Sequence, residues 1–206
     1  MTSVYSIKIN SIDGTGDLLS SVKGNVCLFV NIASKAGYQP KCSKLWSHAR
    51  TTRQLWELQK LHEMFDGFSV VGFPCNQFGG MEPLGNIEIN DFIKKFYPFV
   101  TFPISEKIEV NGANEHPVYT FLKGPEVRLK DDNPADTSPA AMAGQNKAGQ
   151  AMYRIPHNYE KFLIDSNGKN IARFSWRDTP LADEPASTGS SLTVIESVKM
   201  ALPQIW

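Results

Sequence analysis

The sequence predicts an α/β fold, a mixed central sheet with helices on both faces. Three observations carry this. Val26-Cys27-Leu28-Phe29-Val30 is apolar at both parities, as a strand covered on both sides must be. Leu55, Leu58, Leu61 and Phe65 then recur at spacings of three and four, marking one buried helical face before a second buried strand at Phe68–Phe73. Late in the chain, Tyr159–Asp165 and Asn170–Trp176 flank Ser166-Asn167-Gly168, which favours a hairpin. A strand–helix–strand order requires a crossover, so strands 26–32 and 68–73 are expected parallel, and the hairpin makes the sheet mixed.

The other elements follow in order. Tyr5, Ile7 and Ile9 alternate with polar residues, which suggests a short half-buried strand, with Asp13-Gly14 as the turn after it. The run from Val26 to Ile32 stops at Ala33-Ser34-Lys35-Ala36-Gly37, as a buried strand does when it delivers a loop to a helix. Pro40 opens the helical stretch, Asp66-Gly67 ends it, and Gly79-Gly80 marks a loop. Asn86 is a candidate cap for a helix with Ile89, Phe92, Ile93 and Phe96 inside. Phe102-Pro103-Ile104 and Lys107–Val110 read as extended, and Pro117 suits the first turn of a short helix over 116–123. From Gly124 to Gln150 the chain is rich in small and polar residues, so 124–150 is read as a surface insertion within a single domain, 1–206. Leu192, Ile195, Val198 and Leu202 give a closing amphipathic helix. This order is the thioredoxin arrangement.

Composition narrows the function classes. Lys+Arg and Asp+Glu both number 21, so the net charge is zero and nothing in the balance points to nucleic acid or an anionic membrane. No apolar stretch has the length of a membrane span, and MTSVYSIKIN lacks a charged-then-apolar leader, so the expected compartment is the cytoplasm. Cys27, Cys42 and Cys75 are too few for a disulfide scaffold and form no C-x-x-C pair. His48, His62, His116 and His157 lie far apart, and no His/Cys cluster has zinc spacing, so no metal is expected.

Three stretches go beyond fold: Asn31-Ile-Ala-Ser-Lys-Ala-Gly37; Gly72-Phe-Pro-Cys-Asn-Gln-Phe-Gly79 followed by Glu82-Pro83; and Asn158-Tyr-Glu-Lys-Phe-Leu-Ile-Asp165. In this order and spacing they resemble the glutathione peroxidase family, and "KIEVNGANEHPVY" from Lys107 to Tyr119 agrees. The resemblance runs from about Ser3 to Leu202, with two added segments. It implies a thioredoxin-like peroxidase with no bound cofactor, reducing hydrogen peroxide or organic hydroperoxides at the expense of glutathione or another thiol. In that family selenocysteine or cysteine immediately precedes the loop glycine, surrounded by Gln, Trp and Asn. The matching positions are Ala36 for the nucleophile, Gln77 for the glutamine and Asn158 for the asparagine; the tryptophan falls at His157. Local physics supports the first two placements. A helix N-terminus lowers a chalcogen's pKa, and a residue following the neighbouring parallel strand emerges at the same sheet edge. The amide N–H groups of Gln77 and Asn158 are candidate donors to the anion or the leaving oxygen.

Ala36 departs from the pattern, since a methyl group is no nucleophile. Three explanations stand open: a native selenocysteine or cysteine replaced in this copy of the chain, a natural pseudoenzyme, or another cysteine in the role. Cys42, beside Lys41 near the expected helix start, is the candidate for the last, or for resolving an oxidised residue 36; its alternative is a plain first-turn residue. The family's usual resolving cysteine lies in the helix after the Gln loop, where Asp91–Phe96 has none, so direct reduction by a small thiol is expected. Cys75 and Cys27 read as buried core thiols. His157 is either a hydrogen-bonding substitute that titrates at about pH 6.5 or a solvent-facing loop residue; Trp176 is read as too far along, inside the next strand. Lys41, Lys44, Arg50 and Arg53 either steer an anionic thiol or form a solvated helix face, and Trp46 and Trp56 are read as packing residues. The alternative function is a redox-inactive thioredoxin-fold binding or sensing module. Oligomeric state is left open.

Overall fold

A computed structural model describes residues 3–36, 50–124, 154–183 and 192–203. Its four-stranded sheet has the order β2-β1-β3-β4, with β1 at Val26–Ile32, β2 at Phe68–Pro74, β3 at Lys161–Ile164 and β4 at Asn170–Phe174. β1 runs parallel to β2, with Val26 opposite Phe68 and Ile32 opposite Pro74, and antiparallel to β3; β3 and β4 form the hairpin. The mixed α/β sheet expected from the sequence is therefore present. Gly168 in the hairpin turn has φ +84°, and an added Cβ would lie 2.1 Å from Ser3 Oγ, so the N-terminal segment closes on a turn that only glycine fits.

Alternate residues of each strand point to opposite faces, and each face has its own core. On one face, Leu28, Val30 and Ile32 pack with Leu55, Leu58 and Leu61 of α2 (Arg50–Met64), Ile89 and Ile93 of α3 (Asn86–Phe96), and Val198 of α5 (Val194–Ala201). On the other, Phe29, Phe73 and Phe162 meet Leu19 of the one-turn α1 (Leu18–Ser21) and Tyr119 and Leu122 of α4 (Pro117–Leu122). Thr193 starts α5 with a capping box closed by Glu196. No helix among the described residues is long and apolar enough to cross a membrane.

Several local expectations are corrected. Tyr5–Ile9 is not a strand: Val4–Ser6 is a 3₁₀ turn, and Ile7 and Ile9 are buried in the second core, with Ile9 O accepting from Leu18 N at 2.8 Å beside an isolated Asn10–Asp17 bridge. Asn86 does not cap α3; Gly85 holds that position, and Asn86 Oδ1 instead accepts from Lys107 N at 2.8 Å. The stretches read as extended, 102–104 and 107–110, carry isolated bridges, such as Gly72 with Ile104 and Glu109 with Glu115. His116 caps α4 through Val118 N, with Pro117 in the first turn as expected. Trp56, read as packing, faces outward at 39% exposure. The 124–150 insertion lies, apart from Gly124, outside the described residues, as do Lys41, Cys42, Lys44 and Trp46.

Candidate active site

The carboxyl ends of parallel β1 and β2 and the amino end of antiparallel β3 meet at one sheet edge, where open α/β sheets bind ligands. Three loops converge there: 33–36, 75–82 and 157–160. The first is tied down by buried groups of the other two, the second by residues 110–111 and the third by Asn31 of β1.

The 33–36 loop holds position 36. Glu82, fully buried, accepts from Ser34 N at 2.5 Å through Oε2 and from Ser34 Oγ at 2.7 Å through Oε1. Tyr97 donates its hydroxyl to Ser34 O at 3.0 Å, and Tyr159 donates to Ala33 O at 3.1 Å. Lys35 N donates to Met81 O and Ala36 N to Ala33 O. A loop tied by this many buried groups is pre-organised. Ala36 is 1% exposed and belongs to the apolar core beneath the loop. Burial raises the pKa of Glu82, opposed by its Ser34 hydrogen bonds and by the Lys107 and Lys35 charges.

The 157–160 loop is held from beneath. Asn31 Nδ2 donates to His157 O at 2.9 Å, and Asn31 Oδ1 accepts from Glu160 N at 3.0 Å. Tyr159 adopts φ 71°, a conformation that costs a non-glycine residue on the order of 1–3 kcal/mol. Asn31 O accepts its N–H at 2.7 Å, and the buried Lys161 Nζ donates to its carbonyl at 2.8 Å. Burial lowers the Lys161 pKa to about 7 despite the Glu160, Asp178 and Glu57 charges. Beside it Glu160 pairs with Arg173 at 2.9 Å; burial pushes its carboxyl up, and Arg173 and Lys161 pull it down.

Asn158 is fully buried. Its Nδ2 lies 3.9 Å from Met81 Sδ, and its Oδ1 has no hydrogen-bond partner among the described residues. Gln77 is held by the backbone of residues 110–111. Its Nε2 donates to Asn111 O at 2.7 Å, and its Oε1 accepts from Val110 N at 2.9 Å and Asn111 N at 3.0 Å. Asn111 in turn exchanges hydrogen bonds with the Ile155 backbone, at 3.0 and 2.9 Å. Gln77 thus links the 75–82 loop to the approach of the 157–160 loop.

His157 is half-buried among aromatic rings and hydrogen-bonded through one ring nitrogen. Its ring stacks on Trp176 (4.8 Å, 28°) and lies near-parallel to Phe78 (6.3 Å, 17°). Its Nδ1 lies 3.2 Å from Asn158 O, and since a carbonyl only accepts, Nδ1 carries the hydrogen there. Trp176 lies beyond β4, not inside it, and the turn back of the chain sets its indole against the histidine. The Arg177 guanidinium covers the indole at 4.8 Å, and Gln54 of α2 holds Trp176 O at 2.8 Å. Cys75 and Cys27 are buried thiols with pKa values raised by burial, Cys27 to about 12, in line with inert core positions. Arg53 forms an i,i+4 pair with Glu57 at 2.7 Å; Arg50 begins α2, and its side chain lies outside the described part. Among the described residues no group of three or more His, Cys, Asp or Glu side chains is arranged to hold a metal ion.

Nothing in the sequence assigns a role to Glu82 or Lys161, and by position in the sequence Trp176 reads as too far along the chain to meet His157. Glu82 had a signal, because it sits inside the second motif, but nothing in the sequence says which donors a lone glutamate meets.

Comparison with known proteins places this site in context. The glutathione peroxidase family model matches residues 4–123. The chain is 37% identical over 177 residues to glutathione peroxidase-like peroxiredoxin 2 of Saccharomyces cerevisiae, covering 84% of this chain and 88% of that protein. It is 34% identical to the thioredoxin/glutathione peroxidase BtuE of Escherichia coli, covering 97% of each. The crystal structure of Trgpx in its apo form superposes with a TM-score of 0.54 at 28% identity, covering 98% of this chain and 100% of that one.

Proposed function

Because this chain belongs to the glutathione peroxidase family, we propose that its site is built to reduce hydroperoxides with thiols through a chalcogen at position 36, and that the chain bearing Ala36 is inactive or severely impaired. The observation that carries this is the 33–36 loop. It is fixed at the carboxyl edge of β1 by Glu82, Tyr97 and Tyr159, although its central side chain is a methyl. A binding surface has no need for so rigid a seat at one residue, whereas an in-line attack on an O–O bond does.

With sulfur or selenium at position 36, the anion attacks one peroxide oxygen. The O–O bond breaks, the leaving oxygen takes a proton and departs as alcohol or water, and the chalcogen becomes a sulfenic or selenenic acid. One thiol displaces water from that acid to form a mixed disulfide, or its selenium counterpart. A second thiol releases the disulfide and restores the anion. Asn158 supplies an amide at this edge, and Gln77 carries a second hydrogen on Nε2 besides the one given to Asn111. The Lys35 ammonium, 5.5 Å over the Phe92 ring, adds positive charge next to position 36. Since α3 contains no cysteine, a small thiol such as glutathione is the proposed reductant.

Hydroperoxide turnover with glutathione, compared between the unaltered chain and Ala36→Cys, tests this reading. Activity in the cysteine form alone is expected. Equal activity in both refutes the role of position 36 and directs attention to Cys42→Ser. Absence of turnover in both, with any thiol, refutes the peroxidase reading. A redox-inactive binding module is the second reading, and one observation favours it: the Ala36 methyl is buried in the apolar core. An alanine codon in the native gene supports that reading, and a cysteine or UGA codon refutes it.

A further inference from the structure

We propose that Met81 is a second peroxide-reactive group at this edge, a thioether that hydroperoxide oxidises to the sulfoxide in preference to more exposed methionines. The oxidant is the one the proposed function brings to the site, so the inference rests on that reading.

The backbone stitches Met81 to the nucleophile loop, since Met81 O accepts from Lys35 N at 3.3 Å, one residue before position 36. Its side chain turns back over Gly79, with the methyl 3.4 Å from where a Cβ of residue 79 would lie. This places Sδ 3.9 Å from Asn158 Nδ2. The other end of that amide, Oδ1, is buried and has no hydrogen-bond partner among the described residues. A buried orphan acceptor calls for a ligand that supplies an O–H. Water and hydroperoxide both do, and only the second reacts with the sulfur held against the other end of the same amide. With the peroxide O–H on Asn158 Oδ1, a sulfur lone pair attacks the hydroxyl oxygen. An S–O bond forms, the O–O bond breaks, and the proton of the attacked oxygen passes to the leaving oxygen as alcohol or water. Sulfur loses two electrons and the peroxide gains them.

The other described cysteine sulfurs do not compete. Cys75, near this edge, is buried and held as a thiol by its raised pKa, Cys27 lies at the opposite end of β1, and a thioether needs no deprotonation. Met81 oxidation is therefore expected to proceed at the same rate across about pH 6 to 8, where a thiol's rate climbs with its thiolate fraction.

The test treats the unaltered, folded chain with hydrogen peroxide and follows sulfoxide formation at Met64, Met81 and Met200 by peptide mass spectrometry. Their exposures are 48%, 36% and 69%, so exposure alone ranks Met81 last, at about half the Met200 rate. Met81 is expected to rank first in the folded chain, with the three rates converging in urea. Asn158→Leu is expected to drop Met81 back to its exposure rank while Met64 and Met200 keep their rates. Should that variant not fold, the ranking in the unaltered chain decides. Met81 ranking last overturns the inference, as does the same lead persisting in urea. The two readings separate: turnover by Ala36→Cys with Met81 ranking last refutes this inference alone. No turnover with Met81 ranking first supports the inference and refutes the function assigned to position 36.

Discussion

Glu82→Ala removes the acceptor for two buried donors at once, Ser34 N–H at 2.5 Å and Ser34 Oγ at 2.7 Å. Ser34 is 1% exposed, so neither donor finds water in exchange. Stranding a buried donor costs about 1–3 kcal/mol each, offset in part because the variant no longer buries a carboxylate. A net loss of about 3 kcal/mol follows. For a chain of this length each kcal/mol lowers Tm by about 2–4 °C, so the expected drop is roughly 6–12 °C in a circular-dichroism melt. Glu82→Gln keeps an oxygen for Ser34 N–H and an amide N–H for Ser34 Oγ, and it recovers most of the loss. The sign of the pH dependence is fixed. Burial raises the Glu82 pKa, so the folded state holds that proton to higher pH than the unfolded chain does. Its contribution is full below the unfolded carboxylate value of about 4.3 and declines as pH rises through the folded one. The stability of the unaltered chain relative to Glu82→Gln therefore shrinks as pH rises. A Glu82→Ala loss below about 0.5 kcal/mol, the range of ordinary surface changes, refutes the anchoring role, and a gap to Glu82→Gln that widens with pH refutes the electrostatic reasoning.

Three further outcomes are expected. Gln77→Ala removes three hydrogen bonds to residues 110–111 and lowers stability by about 1–3 kcal/mol in urea titration, which a purely catalytic glutamine would not do. Arg173→Met leaves the buried Glu160 carboxylate without its ion pair and costs about 3–5 kcal/mol by the same titration, whereas the double variant with Glu160→Gln recovers much of it. Lys161→Met tests the buried ammonium. Its folded pKa of about 7 lies below the unfolded value of about 10.4, so its contribution is full above the unfolded value and is lost as pH falls toward the folded one. Melts from about pH 7 to 10 are expected to show the unaltered chain gaining on Lys161→Met as pH rises.

How much of this was legible in the sequence depended on how local the cause was. β1 announces itself because both faces are covered, so both parities are apolar. α2 shows through Leu55, Leu58 and Leu61 because one face meets the sheet. Tyr5, Ile7 and Ile9 carry the same alternation as a strand yet form none. Ile7 and Ile9 are buried and Tyr5 partly so, but the segment meets an isolated bridge at Asn10–Asp17 instead of a strand ladder, and pairing is not written in one segment. Asn86 is a good cap by type, yet its side chain went to Lys107 N, a partner 21 residues away.

At the site, residue type and order suffice to single out position 36, Gln77 and Asn158 as candidates. The sequence by itself determined the mixed α/β fold, the family and the absence of a nucleophilic atom at Ala36. Tertiary structure alone decided what each polar group meets. Glu82 reaches back 48 residues to seat the loop, Gln77 is engaged with 110–111, and Trp176 comes round to cover His157. Apolar burial is a property of periodicity and can be read along the chain. A hydrogen bond is directional and short, so its partner is fixed only once the loops have converged.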